Sequence, residues 1–118
     1  MVIALAKIAQ STRVDEDIAV VEIRESIRFD NAPALARYLK SIREKHIAID
    51  LSKVDEARTV LMAQLIGEFQ RRDRYGGRIA LYGLNEQTKK VVSFSNFERV
   101  ISCYETRDQA LDYLRNGH

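Results

Sequence analysis

Cysteine occurs only once, at Cys103, so no intramolecular disulfide can form. A lone cysteine beside the apolar residues Val100 and Ile101 reads as a small buried hydrophobe rather than a nucleophile. Without a disulfide framework, a reducing cytoplasmic interior is the expected compartment. Histidine is nearly as scarce: His46 and His118 have no cysteine or carboxylate at ligand spacing, so no metal site is expected. No Ser-His-acid or Cys-His arrangement is visible. Gly76-Gly77 is not followed by the Lys-Ser or Lys-Thr of a phosphate loop. Neither an enzyme nor a cofactor is expected.

One proline and five glycines leave no Pro-, Gly- or Ser-rich linker. Repeats and low-complexity tracts are also missing, so residues 1–118 read as one domain. No apolar run reaches the length of a membrane span. Met1 to Ala6 is apolar but short, ends at Lys7 and lacks a preceding basic region, so neither a signal peptide nor membrane insertion is expected. A large excess of one charge is lacking too. The 19 basic and 17 acidic side chains leave +2, too little for a nucleic-acid footprint. Asp73 interrupts the basic run Arg71, Arg72, Arg74 and Arg78, and aromatic residues hardly interleave with it. That run reads as a solvated helix end.

What remains is 46% hydrophobic and 31% charged, the composition of a globular domain with one core. Val2 to Thr12 suits a strand, and a tight polar stretch from Val14 to Asp17 leads into a second strand, Ile18 to Ile23. Asp30 or Asn31 can cap a helix that takes Pro33 in its first turn and runs to about Lys45 on Leu35, Leu39 and Ile42. His46 to Leu51 is a short apolar strand. Leu61, Met62, Leu65, Ile66 and Phe69 follow helical spacing until Gly76-Gly77 stops the helix. Arg78 to Tyr82 is a strand, Asn85 caps a helix carrying Val91 and Val92, and Val100 to Tyr104 is a last strand. Thr106 with Gln109 forms a capping box for a terminal helix. The fold class is α/β: a mixed, mostly parallel sheet with an N-terminal hairpin, covered by about four helices.

Four segments carry a resemblance beyond this order. Asp50-Leu51-Ser52-Lys53-Val54 is similar to a D-L-S-x-V strand exit, and Tyr75 to Leu81 to a G-G-x-hydrophobic strand. Phe94 to Ile101 lies where an l-x-G-l-x-x-v-f segment is found, and Thr106 to Leu114 matches S-x-x-x-A-L-x-x-L. Together they resemble the STAS domain family, and within it the bacterial anti-sigma factor antagonists. The resemblance implies a module that binds a protein partner, an anti-sigma factor with a kinase-type ATP-binding fold, and so frees a sigma factor. It specifies no oligomeric state.

In that family the loop after the D-L-S strand usually reads D-S-S-G or D-T-x-G, and the partner kinase phosphorylates its first hydroxyl residue. The resemblance places Thr59 at that hydroxyl, with Arg58 in place of the acid and Leu61 in place of the glycine. Glu25-Ser26-Ile27-Arg28 stands where a G-E-L-D-like motif is found, so Arg28 replaces a second acid. The two arginines leave three readings open. They hold a phosphothreonine, they bind a partner's carboxylate or a small anion, or they are solvated and the switch is lost.

On the second helix, Val60, Ala63, Gln64, Gly67 and Arg71 project opposite the core stripe. That small, weakly polar face suggests a partner surface made by Val60, Ala63, Gln64 and Gly67. Gly67 costs a helix about 1 kcal/mol relative to alanine. Packing against a partner, or against another element of the chain, would explain it. The alternative functions are a non-phosphorylated STAS subunit of a larger assembly, such as a lipid transporter with an ATPase, and a small-anion or nucleotide sensor.

Overall fold

A strand with apolar residues on both faces must be covered on both, and the central strands are of that kind. The computed structural model describes residues 8–94 and 96–117. In it, β1 (Ala9–Asp15) and β2 (Ile18–Ile23) form an antiparallel hairpin. Strands β3 (His46–Asp50), β4 (Ile79–Tyr82) and β5 (Ser102–Tyr104) then add in parallel, in the spatial order β1-β2-β3-β4-β5. Ala19, Val21 and Ile23 of β2 share one core with Ile47, Ile49, Ile79 and Leu81. Ile18 and Val20 share a second core with Ala48, Ala80 and Tyr82 on the opposite face.

Helices α1 (Ala32–Ser41) and α2 (Thr59–Asp73) cover the first face through Leu35, Leu39, Leu61 and Leu65, and Val92 of α3 (Glu86–Phe94) joins the same core. Among the described residues, helix α4 (Arg107–Asn116) is the helix that covers the second face, through Ala110, Leu111 and Leu114. Its predicted capping box is present. Thr106 Oγ1 accepts the Gln109 N–H, while Gln109 Oε1 accepts the Thr106 N–H. The mixed, mostly parallel sheet and its helical cover match the fold class read from sequence.

Several boundaries differ from the sequence expectation. The first strand begins at Ala9, and the expected strand residues Val2 to Lys7 lie outside the described residues, as do Ser95 and His118. The last strand begins at Ser102, because Phe97–Arg99 form a 3-10 turn ahead of it. Helix α1 stops at Ser41, not near Lys45, and Ile42 is already extended. The cause is Arg72, which is 0% exposed. Its guanidinium donates to the carbonyls of Leu39, Ile42 and Lys45, each at 3.1 Å, and to that of Glu44. These carbonyls at and beyond the helix end are satisfied by a side chain of α2 instead of by another turn of α1.

Arg72 is therefore interior, and the reading of its basic run as wholly solvated is corrected. Its charge is balanced by Glu68, one turn earlier and also buried, whose other cation is Arg71 at 2.7 Å. Gly77 closes the same corner. A Cβ there would come 2.5 Å from the Lys45 carbonyl oxygen.

Candidate functional site

Strands β2 to β5 run parallel, and Glu22, Asp50, Tyr82 and Tyr104 lie in register across them. The loops that follow these residues therefore leave the sheet at one end, the usual place for a recognition site in a parallel sheet. Residues 51–58 form the central loop. Asp50 organises its start: Oδ1 accepts the Ser52 N–H at 2.8 Å and Oδ2 accepts the Tyr82 hydroxyl at 3.3 Å. Burial and the neighbouring Asp50 charge push the Tyr82 phenol up to about 12, so it stays protonated and remains a donor.

Leu51, Val54 and Ala57 bury the inner side of the loop. From outside, Asn85 Nδ2 donates to the carbonyls of Val54 (3.2 Å) and Asp55 (2.9 Å). Its Oδ1 caps α3 by accepting the Thr88 N–H at 2.8 Å. Gln87 Oε1 accepts the Ala57 N–H at 3.1 Å. One asparagine thus performs the capping role expected of it and also ties the central loop to α3, a role the sequence did not announce.

The tied loop delivers Arg58 and Thr59 to the start of α2. Arg58 is the N-cap residue, extended at φ −108° and ψ 159°, and its side chain makes no capping bond because a guanidinium has no acceptor. Thr59 is the first helical residue and is exposed. The site thus presents an exposed hydroxyl at the positive end of a 15-residue helix, beside a fixed cation. Leu61, standing where the family's glycine is usual, is a core residue.

The two arginines each lie near an acid of their own. Arg58 lies 4.0 Å from Glu56, and Arg28 lies 3.0 Å from Asp30, whose carboxyl is lowered chiefly by that hydrogen bond. Arg28 also donates to the Ser26 carbonyl. Each guanidinium has an acid two residues away in sequence, hydrogen-bonded to Arg28 and only loosely paired with Arg58. Asn31 occupies the N-cap position of α1, but its side chain caps nothing. Its Oδ1 accepts the Arg28 N–H at 2.6 Å and its Nδ2 donates to the Ser26 carbonyl at 2.9 Å.

On α2 the proposed contact face is divided. Ala63 and Gly67 are exposed and Gln64 is half-buried, but Val60 packs partly against the main core. Arg71 is drawn back to Glu68. A Cβ on Gly67 would meet nothing within 4 Å, so no neighbouring element among the described residues requires glycine there. Ala36, Leu39, Lys40, Gln64, Gly67 and Glu68 line a groove of about 190 Å³ between α1 and α2. Phe29, which the sequence reading did not single out, is 89% exposed at the same end of the sheet as Thr59.

Among the described residues no cluster of three or more metal-ligating side chains occurs, and no helix is long and apolar enough to cross a membrane. A Thermotoga neapolitana protein, named as a candidate anti-sigma factor antagonist, is 21% identical over 107 residues, spanning 87% of this chain and 95% of that protein. The crystal structure of a candidate anti-sigma factor antagonist from Thermotoga maritima superposes with a TM-score of 0.82 at 19% identity, covering 95% of this chain and 98% of that one. The anti-sigma factor antagonist SpoIIAA in its unphosphorylated form superposes with a TM-score of 0.72 at 14% identity, covering 91% and 96%. The model of the STAS domain matches residues 9–110, from the first strand into the last helix, and the chain belongs to that family.

Proposed function

We propose that this STAS domain is a partner-switching module that binds an anti-sigma factor with a kinase-type ATP-binding fold and is controlled at Thr59. The observation that carries this reading is the exposed Thr59 hydroxyl on the first residue of α2, at the end of a loop tied down by Asn85 and Gln87. A phosphate added there meets free backbone N–H groups and the positive end of the helix, so α2 need not unravel to accept it. Arg58, the adjacent N-cap, offsets part of the new charge. The remaining charge faces the partner and weakens its hold. Ala63, Gln64 and Gly67, with the exposed edge of Val60, continue the contact face along α2, and Arg28 borders it from the neighbouring loop.

The relatives named as anti-sigma factor antagonists support this reading. Phosphorylation by the purified kinase-fold anti-sigma factor of the same organism tests it. With ATP present, one phosphate is expected on the wild type and none on Thr59→Val. A wild-type protein that binds this factor but is never modified supports the second reading, constitutive binding. The observation favouring that reading is Arg58, a cation where the family usually has an acid.

A further inference from the structure

Phe29 is 89% exposed, at the tip of the turn between β2 and α1. Exposure of this kind is unremarkable in a slack loop, but this one is braced. The Arg28 N–H and the Ser26 carbonyl are both held by the Asn31 side chain. The Ala32 N–H donates to the Arg28 carbonyl at 2.8 Å, and the Arg28 guanidinium closes onto Asp30. Ile27 is buried beneath, so the turn is anchored from within. The ring is thus held out in water by a pre-formed turn, at a cost in hydrophobic free energy that nothing in the described fold recovers.

The surroundings identify what the ring fits. Residues 24–31 carry Arg24 and Arg28 against Glu25 and Asp30, so the segment has no net charge. Arg24 lies 3.3 Å from Glu22, and Arg28 lies 3.0 Å from Asp30. Such a surface lacks the uncompensated cations that hold a phosphate backbone or an anionic membrane. A rigid aromatic ring in a neutral, braced setting suits an apolar pocket on a folded protein, where little ordering entropy remains to be lost.

We propose that Phe29 is an anchor residue that inserts into an apolar pocket of the partner protein. Strands β2 and β3 are parallel neighbours, so the Phe29 turn and the Thr59 loop emerge side by side and one partner spans both. The inference rests on the partner-switching reading and sharpens it. The kinase-fold anti-sigma factor is held by an apolar contact at Phe29 and released by charge at Thr59.

The test measures binding of the purified kinase-fold anti-sigma factor to wild type, Phe29→Ser and Thr59→Glu by titration calorimetry. Phe29→Ser is expected to weaken binding by about thirtyfold or more, as for a central hot spot, with an unchanged urea midpoint because the ring is 89% exposed. If Thr59→Glu abolishes binding while Phe29→Ser stays within about twofold of wild type, the anchor is overturned and the switch stands.

If the wild type does not bind that factor, the switch reading falls, and a benzophenone side chain at position 29 decides the anchor separately in native cells. A crosslinked protein supports the anchor when its purified form binds wild type and loses Phe29→Ser. Crosslinks only to lipid, only to nucleic acid, or to nothing overturn it.

Discussion

Gly67 and Gly77 both belong to the α2 region, and the structure assigns them opposite responses to a single methyl group. Gly67 lies inside α2, and a Cβ there meets open space. Gly67→Ala therefore gains helix propensity without a steric cost, and stability should rise by about 1 kcal/mol. For 118 residues, an unfolding entropy of about 2.1 cal/mol/K per residue turns that gain into a rise of roughly 4 °C in Tm. Gly77→Ala drives a Cβ to 2.5 Å from the Lys45 carbonyl and 3.0 Å from Arg72 Cβ. The strain should cost about 1–3 kcal/mol. Urea unfolding followed by circular dichroism measures both. A Gly67→Ala protein no more stable than wild type would refute the claim that the fold does not need this glycine. If the proposed contact face is right, the bulkier Gly67→Leu fills the α1–α2 groove and lowers partner affinity by at least about tenfold, while the domain stays folded.

Three further outcomes follow from the interior and the loop. Arg72→Met leaves buried Glu68 with Arg71 alone and removes the guanidinium that donates to the carbonyls of Leu39, Ile42, Glu44 and Lys45. Urea titration should show a loss of about 3–5 kcal/mol, and hydrogen exchange should accelerate first at the end of α1. His46 is buried at the start of β3, where Nδ1 accepts the Arg78 N–H at 2.9 Å, and desolvation, then the Arg78 charge, lower its pKa below the usual 6.5. The unfolded chain therefore binds the proton more readily, so stability is full above 6.5 and falls as pH drops from there through the folded pKa. His46→Gln should flatten that dependence between pH 7.5 and 5.5, within the precision of a urea midpoint. Asn85→Ala removes both the α3 cap and the tie to the 51–58 loop. It should cost about 1–2 kcal/mol and raise proteolytic cleavage near Asp55, and unchanged cleavage would count against the tie.

The alternation of Ile47, Ile49 and Leu51, the Gly76-Gly77 stop and the Thr106–Gln109 capping box were legible because each depends on residues close in sequence. The end of α1 was not. Leu39 and Ile42 continue a helical stripe, and what stops the helix is a guanidinium from Arg72, thirty residues beyond Ile42. A basic run reads as solvent-facing by default. The one local hint was Glu68 at helical spacing from both Arg71 and Arg72, and exposed pairs share that spacing.

At the candidate site, the family resemblance placed Thr59 at the hydroxyl after the D-L-S strand, and the structure has that residue at the first position of α2. The surroundings of Arg58 and Arg28 were not legible. Their acids, Glu56 and Asp30, are near neighbours in sequence, but only the folded turns show the guanidiniums engaged by them. Val60 projects to the outer face on a helical wheel and yet touches the core, since the apolar stripe of α2 is broad at its first turn. The exposure of Phe29 was not legible either, because a phenylalanine gives no sign in sequence of which side of the surface it occupies.

The central claim is a protein contact governed by Thr59. The most direct measurement is purification of the protein from its native cells, with intact mass of the bait and identification of what accompanies it. The account predicts a kinase-fold anti-sigma factor bound to the unmodified chain, and a separate, partner-free fraction carrying one phosphate at Thr59. A phosphorylated chain still bound to that factor, or a stable complex with a different protein and Thr59 always unmodified, would contradict it.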